Sequence, residues 1–279
     1  MRRLNDKKGS EIIVPCDWMK LPTLCQHRQK NFPPGGLGKQ IIHSAYSVGS
    51  CLTFHACTND NLSISASIIK EISSRRSRTL LVTILNEASI LESFPWLTSD
   101  TLVVAKIYDP RYYTVRGDEW TGSSSTYMKY LYNNEVTAYR RIASLQGEIV
   151  PSFRGEFAYH PATGEVVDLI LLEYISAPPF QSIDCLGRDE RKRLKEQSDT
   201  FLDVLRSCSV SHNDLCRENL LWDSRTGLWV LDFDDATFDD ELGFVRDETY
   251  IRLLVTPLEE LRTAAANALA TACLSVESG

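Results

Sequence analysis

From about residue 79 onward, apolar and polar positions alternate in ways that predict a definite order of elements. TLLVTIL (79–85) and TLVVAKIY (101–108) are rich in Val, Ile and Leu and read as strands. MKYLYNNEVTAYRRIASL (128–145) places Leu131, Tyr139 and Ile142 on one helical stripe, with Gly147 close to its C-terminal end. FRGEFAY (153–159) and EVVDLILLEY (165–174) flank His160-Pro161-Ala162-Thr163-Gly164, a hairpin turn signal. Residues 188–206 form a charged amphipathic pattern with Phe201, Leu202 and Leu205 turned inward. LLW and LWVL then bracket Asp223–Gly227 as a second hairpin. Strand, helix, strands, helix and hairpin succeed one another without internal repeats, an α+β order.

Two charges break this pattern where it should be apolar. Glu135 lies four residues from both Leu131 and Tyr139, on the face its helix should bury. Lys106 interrupts Leu102-Val103-Val104-Ala105-Lys106-Ile107, a strand that otherwise reads as buried. A buried charge without a partner is costly by several kcal/mol or so, and pairing Lys106 with Glu135 removes both problems. A snorkelling lysine and a rim glutamate are the alternative.

The second hairpin gathers oxygen. Its turn centres near Arg225, which sets Asn219 opposite Leu231 and Asp232 at the open end of the ribbon. A carboxylate beside an amide oxygen suits a hard divalent cation such as Mg²⁺, which keeps waters and accepts further oxygens from phosphate. Asp214, one loop away in SHNDLCRENLLW (211–222), is placed to accept a proton from a hydroxyl. Each of these residues singly could equally be a turn or cap residue. His212 reads as a brace for the loop backbone, and Cys216 as a packed thiol.

Composition changes this picture little. The 279 residues are 43% hydrophobic and 24% charged with net charge −7, so no basic field draws the chain to nucleic acid or to an anionic membrane surface. The basic runs Arg75-Arg76-Ser77-Arg78 and Arg188–Arg193 read as solvated helix faces. No apolar run approaches a membrane span or a signal-peptide core, which points to a cytoplasmic location, with a nuclear one left open, and to free thiols at the eight cysteines. FPPGGLGKQ (32–40) lacks both the first glycine and the Ser/Thr of a phosphate loop and reads as a turn. The Cys and His residues between Cys16 and Cys57 lack the tight CxxC spacing of structural zinc.

In order along the chain, VVAK (103–106), Glu135 in NEVTAY, LLEYI (171–175), HNDLCRENLL (212–221) and VLDFDDA (230–236) resemble the motifs of the protein-kinase-like superfamily. The resemblance spans roughly residues 79–236. It implies a two-lobed α+β fold: an N-terminal extension over 1–60, disorder left open, an antiparallel-sheet N-lobe over 61–175 and an abbreviated, mainly helical C-lobe over 176–279. It implies that Lys106 holds the α- and β-phosphates of ATP, anchored by Glu135. Asp214 would be the catalytic base, Asn219 and Asp232 would bind Mg²⁺, and Glu173 with Ile175 would lie in the hinge beside adenine.

His-Asn-Asp at 212–214 and Asp-Phe-Asp-Asp-Ala at 232–236 are more similar to choline-kinase and aminoglycoside-phosphotransferase-like enzymes than to protein kinases with His-Arg-Asp and Asp-Phe-Gly. No glycine occurs between Gly49 and Gly117, so the glycine-rich loop expected before Lys106 is missing. Only 47 residues follow Asp232 and no Ala-Pro-Glu is among them, hence the abbreviated C-lobe; a chain whose ends are not native is a further alternative. The acidic positions Asp232, Asp234, Asp235, Asp239, Asp240, Glu241, Asp247 and Glu248 suit a cationic substrate or form a solvated acidic loop. The expected activity is transfer of the γ-phosphoryl of ATP to a hydroxyl on a small molecule or protein. The alternative is a pseudokinase, a binding module that kept the fold and lost turnover.

Overall fold

The computed structural model describes residues 2–5, 11–14, 46–57, 59–73, 76–85, 94, 101–112, 123–161, 165–257, 259–260 and 263–264. The turn expected at 32–40 and Cys16, Cys25, His27 and His43 lie outside these residues. Residues 1–40 and 41–279 separate into two units. The first contributes an antiparallel pair, β1 (Arg2–Asn5) and β2 (Glu11–Val14).

In the second unit six strands close into an antiparallel barrel in the order β3-β4-β5-β6-β8-β7. They are β3 (Cys51–Ala56), β4 (Asn59–Ser73), β5 (Arg78–Ile84), β6 (Leu102–Tyr108), β7 (Phe153–Tyr159) and β8 (Val167–Glu173), with α1 (Ser124–Arg141) between β6 and β7. The sequence reading begins its sheet domain at residue 61, but β3 pairs with β4 and β7 through Leu52, Phe54 and neighbours, so the sheet starts ten residues earlier. Leu52, Phe54 and Ala56 point inward at every second position, a short alternation that HACTND soon ends.

Alternation on the barrel wall decides what becomes buried. Val103, Ala105 and Ile107 of β6 and Leu169 and Leu171 of β8 fill the barrel with Phe54, Ile64, Leu80, Val82 and Phe157. The opposite parity, Val104, Tyr108, Ile170 and Leu172, packs on α1 and on the elements that follow. Both strands are therefore buried on two faces, which explains their near-continuous apolar runs. Lys106 falls on the outer face under α1, buried because its strand is.

The helix expected at 128–145 begins at Ser124, where Ser123 caps it by accepting the Thr126 N–H at 3.2 Å. It ends at Arg141, and Ala143–Leu145 continue as a single 3₁₀ turn. Gly147 follows with φ +78°, a left-handed conformation suited to glycine. After β8 come α2 (Arg188–Ser207), β9 (Val210–Ser211), β10 (Leu220–Asp223), β11 (Gly227–Val230), β12 (Thr237–Phe238) and α3 (Glu241–Val255). Phe201 and Leu205 of α2 are fully buried, and Leu202 is half-buried. The β10–β11 hairpin pairs Leu220 with Val230, and the Leu231 N–H donates to the Asn219 carbonyl at 2.8 Å, extending the register to the open end. Asp223 closes its turn by accepting from the Arg225 and Thr226 N–H groups. A second apolar cluster joins α1, α2, the hairpin and α3 through Leu131, Tyr139, Phe201, Leu215, Val230 and Phe233. Among the described residues the architecture is α+β, an antiparallel sheet with three helices. Among the described residues no helix is long and apolar enough to cross a membrane.

Candidate active site

The outer face of β6 brings Lys106 beneath α1. Its Nζ donates to Glu135 Oε2 and, at 2.5 Å, to Asp232 Oδ1, and lies 3.5 Å from Asp234 Oδ2. Glu135 is wholly buried; its Oε2 also accepts from the Tyr108 hydroxyl, while its Oε1 has no hydrogen-bond partner. One turn position away, Asn134 Nδ2 donates to the Asp234 carbonyl at 3.3 Å and ties α1 to the segment after β11.

That segment is set by backbone conformation. Asp232 has φ +69°, a left-handed value that Asp tolerates better than most residues but not without strain. The twist sends Phe233 into the core, with its ring centroid 5.5 Å from Tyr139 and 4.5 Å from His212. The flanking carboxylates of Asp232 and Asp234 are thereby turned back toward Lys106.

Between β9 and β10 the loop carrying Asp214 is held from several sides. The His212 ring contacts the Leu231 carbonyl through Nε2 at 3.0 Å and accepts the Asp214 N–H at Nδ1 at 3.3 Å. A carbonyl only accepts and an amide N–H only donates, so these partners select the neutral tautomer with its proton on Nε2. His212 thus braces the backbone. Asn213 has φ +65° and is fixed by donating from Nδ2 to Thr237 Oγ1 at 2.7 Å. Asn219 Nδ2 donates to the Asp214 carbonyl at 2.9 Å and to its carboxylate at 3.2 Å. Cys216 is buried in the same loop.

Arg76, from the β4–β5 connection, links the two halves. Its Nη1 donates to Asp235 at 2.6 Å and its Nη2 to Asp234 at 2.9 Å, and Nη2 lies 3.9 Å from Asp214. Glu135, Lys106, Asp232, Asp234, Arg76, Asp214 and Asn219 therefore form one contiguous network.

Counting Asp235 on Arg76, five carboxylates face two cations here, leaving three negative charges in excess when all are ionised. The imbalance appears in the titration of the groups. Burial raises Asp232, but the Lys106 ammonium more than reverses this and holds it down to about 2. Burial, then repulsion from Asp232, pushes Asp234 up to about 8 despite its cationic neighbours. Glu135 is raised by burial, and Asp214 by burial and then Asp235. Burial opposes the charge of Lys106, yet Asp232, Asp234 and Glu135 outweigh it and keep the ammonium protonated well above its usual range.

Glu135, Asp232 and Asp234 each offer an oxygen, all within 4.8 Å of one another. A hard-oxygen set, surplus negative charge and the orphaned Glu135 Oε1 fit a divalent cation. This trio overlaps the expected pair Asn219 and Asp232 only at Asp232. Asn219 has its amide nitrogen committed to Asp214. Glu173 ends β8 and Ile175 follows in the connecting segment. The Glu173 carboxylate accepts from the Ser152 N–H at 3.0 Å and hydroxyl at 2.6 Å, and its own N–H donates to the Ser152 carbonyl at 2.9 Å.

Three participants were not legible as such. The sequence suggests a solvated helix face for Arg76, but it lies in a strand connection, with its side chain 21% exposed, and Arg78 close by is buried in β5. The sequence places Asp234 and Asp247 in an acidic loop or a run suited to a cationic substrate, but both are buried and engaged. Asp240 from the same run caps α3 by accepting the Leu242 N–H at 3.1 Å. The available signal was the spacing of Asp232 and Asp234 around Phe233, which places both carboxylates on one side of a buried ring.

Residues 165–242 match the family model of the phosphotransferase enzyme family, APH. The match covers β8, Glu173, Ile175, Asp214, Asn219 and Asp232, and stops before Asp247; Lys106, Glu135 and Arg76 lie outside it. No curated protein matches the chain. The matched stretch supports a kinase-like phosphotransferase relationship.

Proposed function

We propose that this protein is an ATP- and Mg²⁺-dependent phosphotransferase that moves the γ-phosphoryl group to a hydroxyl on a small molecule or a protein. The observation that carries the reading is the single network joining the buried Lys106–Glu135 pair to Asp232 and Asp234 and, through Arg76, to Asp214 and Asn219. It brings together parts of the chain more than a hundred residues apart, and the similarity of residues 165–242 to phosphotransferases points the same way.

Within this reading Lys106 presents its ammonium to phosphate oxygens, kept charged and in place by Glu135. Asp232 and Asp234, with Glu135 or Asn219 nearby, would hold Mg²⁺, which when bound supplies positive charge against the phosphates. Asp214 is the base that accepts or orients the hydroxyl proton: part of its side chain is open, and its raised affinity for a proton brings it nearer to that task. His212 and Asn219 fix its loop. Glu173 and Ile175 border the adenine through their backbone. The two-lobed kinase-like arrangement and a cytoplasmic location belong to the same reading. ATP turnover over a panel of amino alcohols, sugars and generic protein substrates tests it. Mg-dependent transfer that Asp214→Asn reduces at least about a hundredfold is expected; transfer unaffected by that change would refute the assignment.

One observation favours a second reading, a binding module without turnover. The connection from β4 to β5, which leads into the strand paired with the Lys106 strand, contains no glycine whose amide could lie close against phosphates. Mg-ATP separates the two. A ligand at a hundred times its Kd stabilises a fold by about 2.7 kcal/mol, so an unmoved melting temperature at millimolar Mg-ATP favours the module.

A further inference from the structure

We propose that Arg76 is the phosphate-binding residue of the β4–β5 connection, taking the terminal phosphate of the nucleotide where backbone amides of a glycine loop would otherwise do so; this rests on the phosphotransferase reading above. Strand register places the residue. Thr79 pairs with Lys106, so Arg76, three residues upstream, hangs over the same end of the sheet as the Lys106 side chain. Its guanidinium bridges the two parts of the network, 2.9 Å from Asp234, which also contacts Lys106, and 3.9 Å from Asp214. A group moving from a nucleotide held by Lys106 to a hydroxyl held by Asp214 would pass beside it.

The way Arg76 is bonded argues that its present partners are not its best ones. A guanidinium binds one carboxylate or phosphate most strongly with two parallel N–H donors. Here the fork is split, with Nη1 on Asp235 and Nη2 on Asp234. Lys106 also contacts Asp234, so one carboxylate is shared by two cations while Asp232 and Glu135 compete for the other. A divalent cation on Asp232 and Asp234 would repel Arg76 from Asp234 and leave a fork directed at phosphate. The chain between Gly49 and Gly117 contains no glycine, and the arginine supplies the cation that such a connection can still offer.

Equilibrium titrations of the full chain with Mg-ATP, Mg-ADP, AMP and adenosine, on the wild type, Arg76→Lys and Arg76→Ala, test this. Loss of a charge-assisted contact weakens binding by about tenfold to a hundredfold. We expect that loss in Arg76→Ala for Mg-ATP, less for Mg-ADP and none for AMP or adenosine, with partial recovery in Arg76→Lys, which restores charge without the fork. Retained AMP binding also reports an intact fold. Mg-ATP bound by Arg76→Ala as tightly as by the wild type, or more tightly, overturns the proposal and makes Arg76 only a counter-ion. Equal losses for all four ligands in Arg76→Lys overturn it in favour of a structural role. A wild type that binds none of the four overturns this proposal and the phosphotransferase reading together, whereas the preceding outcomes leave that reading standing.

Discussion

Asp247, inside α3, accepts the backbone N–H of His212 at 2.5 Å from a position with no exposure to solvent. Its second oxygen takes the N–H of Asn213 at 3.0 Å. A helix thus holds the loop that presents Asp214. Asp247→Ala would leave the buried His212 N–H and the half-buried Asn213 N–H unpaired and is expected to cost about 2–4 kcal/mol. Asp247→Asn, which keeps one acceptor, should cost less. Denaturant unfolding measures both. Turnover should fall in each, because Asp214 is positioned by the loop the change releases; an Asp247→Ala protein as stable as wild type would contradict the brace.

Gly243 makes that brace possible. A Cβ there would lie 2.6 Å from the Ser211 Cβ and 2.9 Å from Asn213 Oδ1. Neither neighbour yields easily: Ser211 is in β9, paired with β12, and Asn213 is held by Thr237. Gly243→Ala should therefore push α3 off β9, with a cost of about 1–3 kcal/mol typical of overpacking. Adding Ser211→Gly should recover part of it, and the melting temperatures of the single and double variants give the comparison.

These two contacts show why part of the site was readable in the sequence and part was not. Lys106 and Glu135 were legible because each violates an apolar period, and a buried charge demands a partner. The placing of Asn219 opposite Leu231 was legible because hairpin register is local. Asp247 and Arg76 make their contacts across 35 and 159 residues, and nothing in their neighbourhoods breaks a pattern. Arg76 sits in a basic run of ordinary appearance, and Asp247 among charges that elsewhere on α3 are solvated. The barrel closure was hidden for the same reason, since β3 meets β7 a hundred residues later. The boundaries of α1 differed because Ser123 caps the helix, a signal that the apolar stripe beginning at Met128 does not contain.

The charge surplus predicts a specific response to pH. A carboxyl that holds its proton more tightly folded than unfolded stabilises the protein while protonated, and the benefit is lost as pH rises. For Asp234 the decline runs from about 4, its unfolded value, to about 8. Glu135 and Asp214, also raised, act in the same direction. Asp232 is depressed to about 2, so its contribution is present above about 4 and is lost only in stronger acid. Metal-free protein in EDTA should therefore lose melting temperature between about pH 5 and pH 8, and Mg²⁺ should flatten the decline by favouring ionised carboxylates. A flat profile in EDTA, or one that Mg²⁺ leaves unchanged, would count against a cation among Glu135, Asp232 and Asp234.

Lys106 allows the energetics of the network to be separated from its chemistry. Its ammonium is the shared partner of Glu135 and Asp232, and both lose it together in Lys106→Met. Removing one partner of a buried pair costs about 3–5 kcal/mol, mostly from the charge left behind. Glu135→Gln alone should cost less, since Asp232 and Asp234 remain to balance the ammonium. In the double variant Glu135 no longer burdens the site, so its cost should fall below the sum of the two singles by about 1–3 kcal/mol, the range expected of residues in contact. Phosphoryl transfer should be lost in Lys106→Met and in the double variant alike, because recovered stability restores no cation for the phosphates. Additive costs would mean that the two residues stand side by side without acting as a pair.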